Sequence, residues 1–470
     1  MPDLGLHREF ESVNLGDERR NRRVRRVVET IARRPAAGFP SAFDNEAELE
    51  AFYRLVNNDA VQLSALQEPH REESWRRASE FGGAVLVAHD TSEFSYVGEA
   101  EREGLSRRGD HQSFHGHFAV ALAEGAAPVV HGVVGWSAHV IDDGVWCRVT
   151  DDGDLFELLV GSERWSDLAA EVHRDAPDGQ QIIHVMDREA DDYPLWSRLV
   201  AQGDDFVIRS QHNRLLVDRD DKLFESLEQT PFVVSRQVVL SRRGKRRPPG
   251  SRRTHPPRDR RPAKLSIRAS TVEVKRPAAV APLGEPSMRL SVVEVVEIDP
   301  PDDATPIHWL LLSTLPVTTP EEVCRIVDIY CKRWLIEEFF KALKTGCAAE
   351  KRQARSLWSL LNVVALLVPI AWRLLVVRAL SRHEPTASAD GLLDPVELQA
   401  LRHLVGSRKL PAHPTRREVL LAVARVGGHL KSNGEPGWLV LGRGMEQLLD
   451  FSAGWRAALA FAAGNGGAEG

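Results

Sequence analysis

Apolar residues in the first seventy positions recur at helical spacing. In GDERRNRRVRRVVETIARR, Val24, Val27, Val28 and Ile31 fall on one face with arginines elsewhere, and Pro35 stops the run. NEAELEAFYRLVNN predicts a second helix closing at Asn57-Asn58, and HREESWRRASEF lies on a third. From residue 83 the pattern turns strand-like. GAVLVAHDTSE predicts a short apolar strand that gives way to a polar cluster, so Asp90 falls just past its end. HGHFAVALAEG and PVVHGVVGWSAHV predict two more strands joined by a turn near Gly125. DLFELLVGSERWSDLAAEVHRDA reads as a helix, QQIIHVMDREA as a buried strand ending at an acid, ADDYPLWSRLVAQG as a helix and DFVIRSQHNR as a strand. Strands and helices in such succession predict an α/β layer architecture.

Residues 215–308 break this rhythm. They are polar, rich in Arg and Pro at 242–264, and strand-like again at SMRLSVVEVVEI, which predicts an inserted β-rich subdomain with a basic loop. IHWLLLSTLPV resumes the core as a strand. A long helix then runs through EEVCRIVDIYCKRWLIEEFFKALKTG to Gly346. The remainder is helical, with a polar linker at 382–394. The charge-free stretch 356–372 falls short of the ~20 residues of a membrane span and holds Asn362 and Pro369, so it reads as a buried helix. The expected organisation is a helical domain at 1–70, a catalytic α/β domain at 71–355 with the insertion inside it, and a helical domain at 356–470.

Charge changes this picture. The chain of 470 residues carries a net charge of −6, yet residues 242–264 hold eleven Arg or Lys and one acid. A second basic run, ERRNRRVRR, contains Arg22 and Arg26. Arginine suits bidentate phosphate contacts, so both runs are candidate nucleic-acid strips; a solvated loop or helix face is the alternative. Four cysteines without CxxC spacing exclude a disulfide scaffold and argue against structural zinc. The first residues lack a secretory apolar segment, and the expected compartment is the cytoplasm.

Three carboxylates stand out as candidate chemistry. Asp90 and Asp187 each follow an apolar strand, where side chains project into a cleft at a sheet edge. At about 100° per residue, Glu337 shares one face of the long helix with Tyr330, Arg333, Lys341 and Lys344, while Glu338 lies off that face. An acid among cations and a phenol suits phosphate handling around a metal. Three carboxylates suffice for two Mg²⁺ ions that keep water and accept phosphate oxygens. The competing explanations are a helix cap for the acids near 187, a solvated face with Glu337–Lys341 pairing, a glycosidase carboxylate pair, and a DNA-binding protein without catalysis.

Tyr330-x2-Arg333-x3-Glu337-x6-Lys344 resembles the YREK signature of the IS-four family of bacterial DDE transposases, and DREAD at 187–191 resembles the second signature of its Tn-five-like branch. The likeness extends through SVNLGDERRNRR, FYRLVNN, HDTSEFSY, FVIRSQHNR, RRGKRR at 242–247, HWLLLSTLPV and GGHLKSNGEPGW. It implies an RNase H-like core with a β-rich insertion and cut-and-paste transposition of an insertion sequence through nicking, hairpin formation and opening, and strand transfer. Asp90, Asp187 and Glu337 would be the catalytic triad and the ligands of two Mg²⁺ ions, with Mn²⁺ substituting. Tyr330, Arg333, Lys344 and Lys341 would contact the end phosphates. Trp309 would take a flipped base, and Arg209, His212 and Arg214 would form a basic loop on the DNA. Arg246 and Arg247 of RRGKRR, with Arg22 and Arg26 of the first helix, would bind DNA as well. The implied partners are transposon-end inverted-repeat DNA, target DNA and a second copy of the chain joined through its C-terminal helices. Gln211 stands where that loop would carry a Lys. A domesticated relative that binds ends without transposing is the alternative within the family.

Overall fold

The computed structural model describes residues 6 and 8–465 apart from 35–36, 99–100, 109–110, 159, 218–220, 241–258, 281–283, 303, 407, 431 and 433. The chain forms two compact units: Met1–Gln180 with Trp334–Gly470, and Gln181–Arg333.

The first unit begins with four helices, α1 (Glu18–Arg33), α2 (Phe39–Ala42), α3 (Glu46–Val56) and α4 (Leu63–Phe81). Asp17 starts α1 by accepting the Arg19 amide, and the Val24, Val27, Val28 and Ile31 stripe is buried as its spacing predicts. Six strands follow: β1 (Val85–Val97), β2 (Ser106–Arg108), β3 (His111–Ala123), β4 (Val130–Asp142), β5 (Val145–Val149) and β6 (Leu155–Glu157). They are antiparallel, in the order β6-β5-β4-β3-β1 with β2 on β3. β1 does not stop at the polar cluster. It runs on through Asp90, which pairs with Phe118, because Phe94 and Tyr96 resume inward alternation beyond it. The helix expected from Asp154 is also shorter. Leu155–Glu157 pairs with β5, and only Glu163–Asp175 is helical, as α5.

In the second unit, β7 (Ile182–Met186) ends at Asp187, α6 (Tyr193–Gln202) follows, and β8 (Asp205–Arg209) pairs parallel to β7. After α7 (Leu223–Glu228) come β9 (Val234–Leu240), β10 (Arg261–Lys275), β11 (Ser287–Ile298) and β12 (His308–Ser313). β12 pairs with β8 and β11, and the order continues through β10 to β9, all antiparallel. α8 (Pro320–Lys332) starts from a capping box in which Thr319 and Glu322 satisfy each other's amides.

The long helix is interrupted. The Arg333 amide bonds back to Tyr330 O, a tightened turn, and α9 (Trp334–Lys341) resumes after it in the first unit. Residues Ala342–Gly346 then widen into a π turn. Four further helices complete the chain: α10 (Leu357–His383), α11 (Pro395–Val405), α12 (Arg416–Val426) and α13 (Trp438–Asn465). α10 is long and apolar enough to cross a membrane, yet its apolar window is wholly buried, against α3, α4, β4 and α12 among others. The helices from the two ends of the chain thus share one compact unit, with α1 packed on α10 and α13.

A buried charge cluster ties Glu9, ahead of α1, to α4, β4 and α10. Glu9 accepts Arg77 Nη1 at 2.6 Å and faces His70 Nδ1 at 2.5 Å, and the Arg77 guanidinium lies 4.0 Å from the Trp372 ring of α10. His70 Nε2 accepts the Val133 amide at 3.1 Å, so Nδ1 carries the proton and the ring is neutral. Burial pushes the His70 pKa down against the pull of Glu9. Burial would raise Glu9, but His70 and Arg77 together hold it low. Both groups therefore bind protons more readily in the unfolded chain. The stability they contribute is present above an ordinary histidine pKa of 6.5 and is lost as pH falls through the histidine and then the carboxylate range. Thermal unfolding followed from pH 7.5 to 4 should show the melting temperature falling below about 6.5, where histidine begins to charge in the unfolded chain. Glu9→Gln should cost about 3–5 kcal/mol by leaving Arg77 buried beside a neutral partner. A melting temperature insensitive to both changes would contradict this account.

Candidate active site

Asp90 lies on β1, half-buried, and its Oδ1 accepts the Thr91 amide at 2.8 Å. Strand alternation sends Asp90, Phe94 and, across the pairing, Phe118 to one face. α9 covers that face: Phe118 meets Phe339 at 5.7 Å and Phe340 at 5.6 Å between centroids. On the other face Thr91 Oγ1 meets His117 Nδ1 at 2.9 Å and accepts Arg164 Nε of α5 at 3.2 Å. Burial holds His117 well below its ordinary pKa, so it stays neutral behind the strand.

Glu337 is half-buried in the first turn of α9, between the buried Ile336 and Phe340. Glu338 has a separate task. It pairs with Lys341 at 2.6 Å and with Arg378 of α10, whose pKa burial lowers to about 10. Lys341 also lies 5.1 Å from the Trp334 ring, so its observed partner is Glu338 rather than Glu337. Lys344 hydrogen-bonds Glu93 O, pairs with Glu350 at 3.3 Å and lies 4.8 Å over Phe94. A uniform helical wheel does not describe this segment, because the turn at Arg333 tightens it and the π turn after Lys341 widens it.

In the second unit, Asp187 caps the short turn Arg188–Ala190 by accepting the Glu189 amide at 2.8 Å. The cap expected of Asp191 is replaced by something else. Asp191 is buried and accepts Ser210 Oγ at 3.1 Å, the Gln211 and His212 amides at 2.6 and 2.8 Å, and Arg214 Nη2 at 2.6 Å. Arg214 is thereby committed: its side chain is 9% exposed and its guanidinium lies 4.4 Å over Trp196. Gln211 and His212 are exposed beside it. Nothing in the sequence spacing marks Asp191 as the centre of this loop, because its partners come from about twenty residues downstream.

Trp309 on β12 stands half-buried and edge-on to Tyr330 of α8, 5.3 Å between centroids. Burial pushes the Tyr330 phenol up; Arg333 and Arg209 draw it down, and the Asp187 charge adds to the rise. Arg209 Nη2 donates to His308 O at 3.0 Å. An acid, two guanidinium groups, a phenol and an indole thus gather in this unit.

On α1, Arg22 and Arg26 are exposed, and Arg26 pairs with Glu48 of α3. Arg246 and Arg247 lie outside the described residues. Among the described residues, no group of three or more His, Cys, Asp or Glu side chains could hold an ion by itself. The donors at Asp90, Asp187 and Glu337 are all carboxylate oxygens, and the two aspartates are each steadied by a backbone amide on Oδ1. Carboxylate oxygens are the donors that a hard divalent cation takes, with water and phosphate oxygens completing its shell.

Residues 6–61 match the family described as Transposase DNA-binding, which takes in α1 to α3 and their arginines. Residues 162–368 match the Transposase DDE domain, a span that includes Asp187, Trp309, Tyr330, Arg333, Glu337 and Lys344. With a transposase DNA-binding domain followed by a DDE domain, the chain is a DDE transposase.

Proposed function

We propose that the protein is a cut-and-paste transposase of the IS-four family, Tn-five-like branch, in which Asp90, Asp187 and Glu337 hold two Mg²⁺ ions. When bound, the ions supply an activated attacking hydroxyl and stabilise the leaving oxygen of an in-line phosphoryl transfer. The observation that most supports this reading is the company of Asp187 in its unit: Tyr330 feels the charges of Arg333, Arg209 and Asp187, with Trp309 against its ring. Guanidinium groups give bidentate contacts to a phosphate, the phenol adds a hydrogen bond, and the indole offers a face for an extruded base. A sugar substrate would leave these cations without an anionic partner. Lys344 would add a phosphate contact after exchanging Glu350 for it. The substrates on this reading are transposon-end and target DNA.

Pairing of two ends requires two protomers. α11 and α13 form a groove lined by Leu404, Phe451, Trp455 and Leu459, with Leu404 and Leu459 exposed, and this supports joining through the C-terminal helices. An exposed apolar strip of this kind favours burial against a second copy.

Three tests follow from this reading. Asp90→Ala, Asp187→Ala and Glu337→Ala should each abolish Mg²⁺-dependent nicking of end DNA while sparing binding. Glu338→Ala should keep nicking and lower thermal stability, since Arg378 loses its partner; wild-type nicking by Glu337→Ala would sink the assignment. Trp309→Ala should permit the first nick and impair hairpin formation, reflecting a stacking contribution of about 1–3 kcal/mol. A core role would instead cost about 3–5 kcal/mol of stability and slow every step alike, and a gel resolving nicked, hairpinned and cut ends distinguishes the two. Trp455→Glu with Leu459→Glu should leave single-end binding intact and eliminate double-strand breaks. Removal of the whole C-terminal segment is unsuitable, because α10 and α13 pack on α1. Double-strand cutting by a variant that sediments as a monomer on DNA would refute the paired-end arrangement.

A further inference from the structure

The geometry points to a role for Asp191 and Arg214 other than contact with DNA: they are positioning residues that clamp the turn carrying Asp187 against the loop Ser210–Arg214. This rests on the reading of Asp187 as a metal ligand. The turn is short and internally closed. Asp187 O accepts the Ala190 amide at 3.2 Å, Asp187 Oδ1 accepts the Glu189 amide at 2.8 Å, and Arg188 O accepts the Asp191 amide at 3.2 Å. Such a turn has few bonds of its own, and its direction is set by what holds its far end.

That end is held from outside. Asp191 is 4% exposed as a residue, and its carboxylate receives two successive loop amides, the Ser210 hydroxyl and the Arg214 fork. Arg214 Nη2 also donates to Asp191 O at 2.6 Å. Trp196 Nε1 donates to Ala190 O at 3.1 Å, and its ring faces the guanidinium at 4.4 Å. The two carbonyls at the far end of the turn, Ala190 O and Asp191 O, are therefore tied to one Arg–Trp stack. From the other side, Asn213 Oδ1 accepts the Phe224 amide at the start of α7, and Asn213 Nδ2 donates to Glu225. The loop is anchored at both ends before any DNA arrives.

The same facts weigh against a phosphate contact through Arg214. Its donors already serve a buried carboxylate and a carbonyl, and breaking such a pair strands Asp191. A lysine would preserve the charge but not the fork, since an ammonium is a point donor. This separates the two roles experimentally.

The experiment uses the full-length protein and three variants, Arg214→Lys, Arg214→Ala and Asp191→Asn. The probe is a fluorescein-labelled duplex carrying the DNA that flanks the gene. Three readouts are taken: duplex affinity, amide hydrogen exchange at residues 189–191 and 211–212, and nicking as a function of Mg²⁺ concentration. The clamp predicts that all three variants keep affinity within about twofold, exchange at least about tenfold faster at those amides, and need more Mg²⁺ for half-maximal nicking. Arg214→Lys should behave like Arg214→Ala. Two results would overturn the clamp. One is unchanged exchange in all three variants. The other is an Arg214→Ala loss of affinity that Arg214→Lys restores, the mark of a phosphate contact. Absence of Mg²⁺-dependent nicking in the wild type would overturn the metal reading of Asp187, while exchange would still decide the clamp.

Discussion

Within the first unit, the placing of two acids depends on one aromatic contact. Phe339 and Phe340 of α9 pack on Phe118, which is the strand partner of Asp90. That contact sets both the height and the rotation of α9 over β1. Rotation matters because Glu337 and Glu338 are neighbours separated by about 100° around the helix axis. With the phenylalanines facing the strand, Glu338 is carried to Arg378 on α10, while Glu337 keeps its half-buried place in the first turn of α9. The Glu338–Arg378 pair then reinforces the same rotation, since any twist of α9 would strand a buried arginine. Apolar packing chooses the orientation and a buried charge pair locks it, which is a common division of labour between non-directional and directional forces.

The second unit solves its positioning problem with polar groups. Asp187 sits at the end of a five-residue strand, where the chain must turn at once. Little apolar surface is available to fix such a turn. Hydrogen bonds do it instead, and they lie in a buried place where each is stronger than in water. The strand β12 carries Trp309 and pairs on both edges, with β8 and with β11. Trp309 itself pairs with Val295 of β11, just ahead of the Leu311–Ser313 stretch that also pairs with β8, and its indole meets Tyr330 edge-on.

Much of this was legible in the sequence, and the failures have physical causes. The α1 stripe, α3, the strands near Gly125, β7, α6 and β8 follow from periodicity, and the YREK and DREAD residues point to a DDE transposase, as the DNA-binding and DDE matches show. The polar cluster after Ala88 reads as a strand end at Asp90, whereas β1 continues because Phe94 and Tyr96 carry the alternation onward. The strand at Leu155–Glu157 was hidden inside a helix-like pattern, since pairing with β5 outweighs local propensity there. The break at Arg333 leaves no trace of Gly or Pro. The roles of Asp191, Arg214 and Glu338 were invisible because each depends on a partner distant in the chain.

Pairing also bears on how a chain with a net charge of −6 approaches DNA. Many of its cations do not face solvent alone. Arg26 is joined to Glu48, Lys341 to Glu338, Lys344 to Glu350 and Arg236 to Asp328. A phosphate that approaches such a pair exchanges one anion for another, so the gain is smaller than for an unpaired cation and depends on geometry. Exposed pairs are weak, about 0–1 kcal/mol, and exchange at little cost when the phosphate fits. Poorly aligned DNA recovers less of that cost and is held less firmly. Local acids therefore temper the non-specific attraction that the arginines would otherwise exert, and they shift selectivity from total charge to the match between phosphate positions and individual side chains.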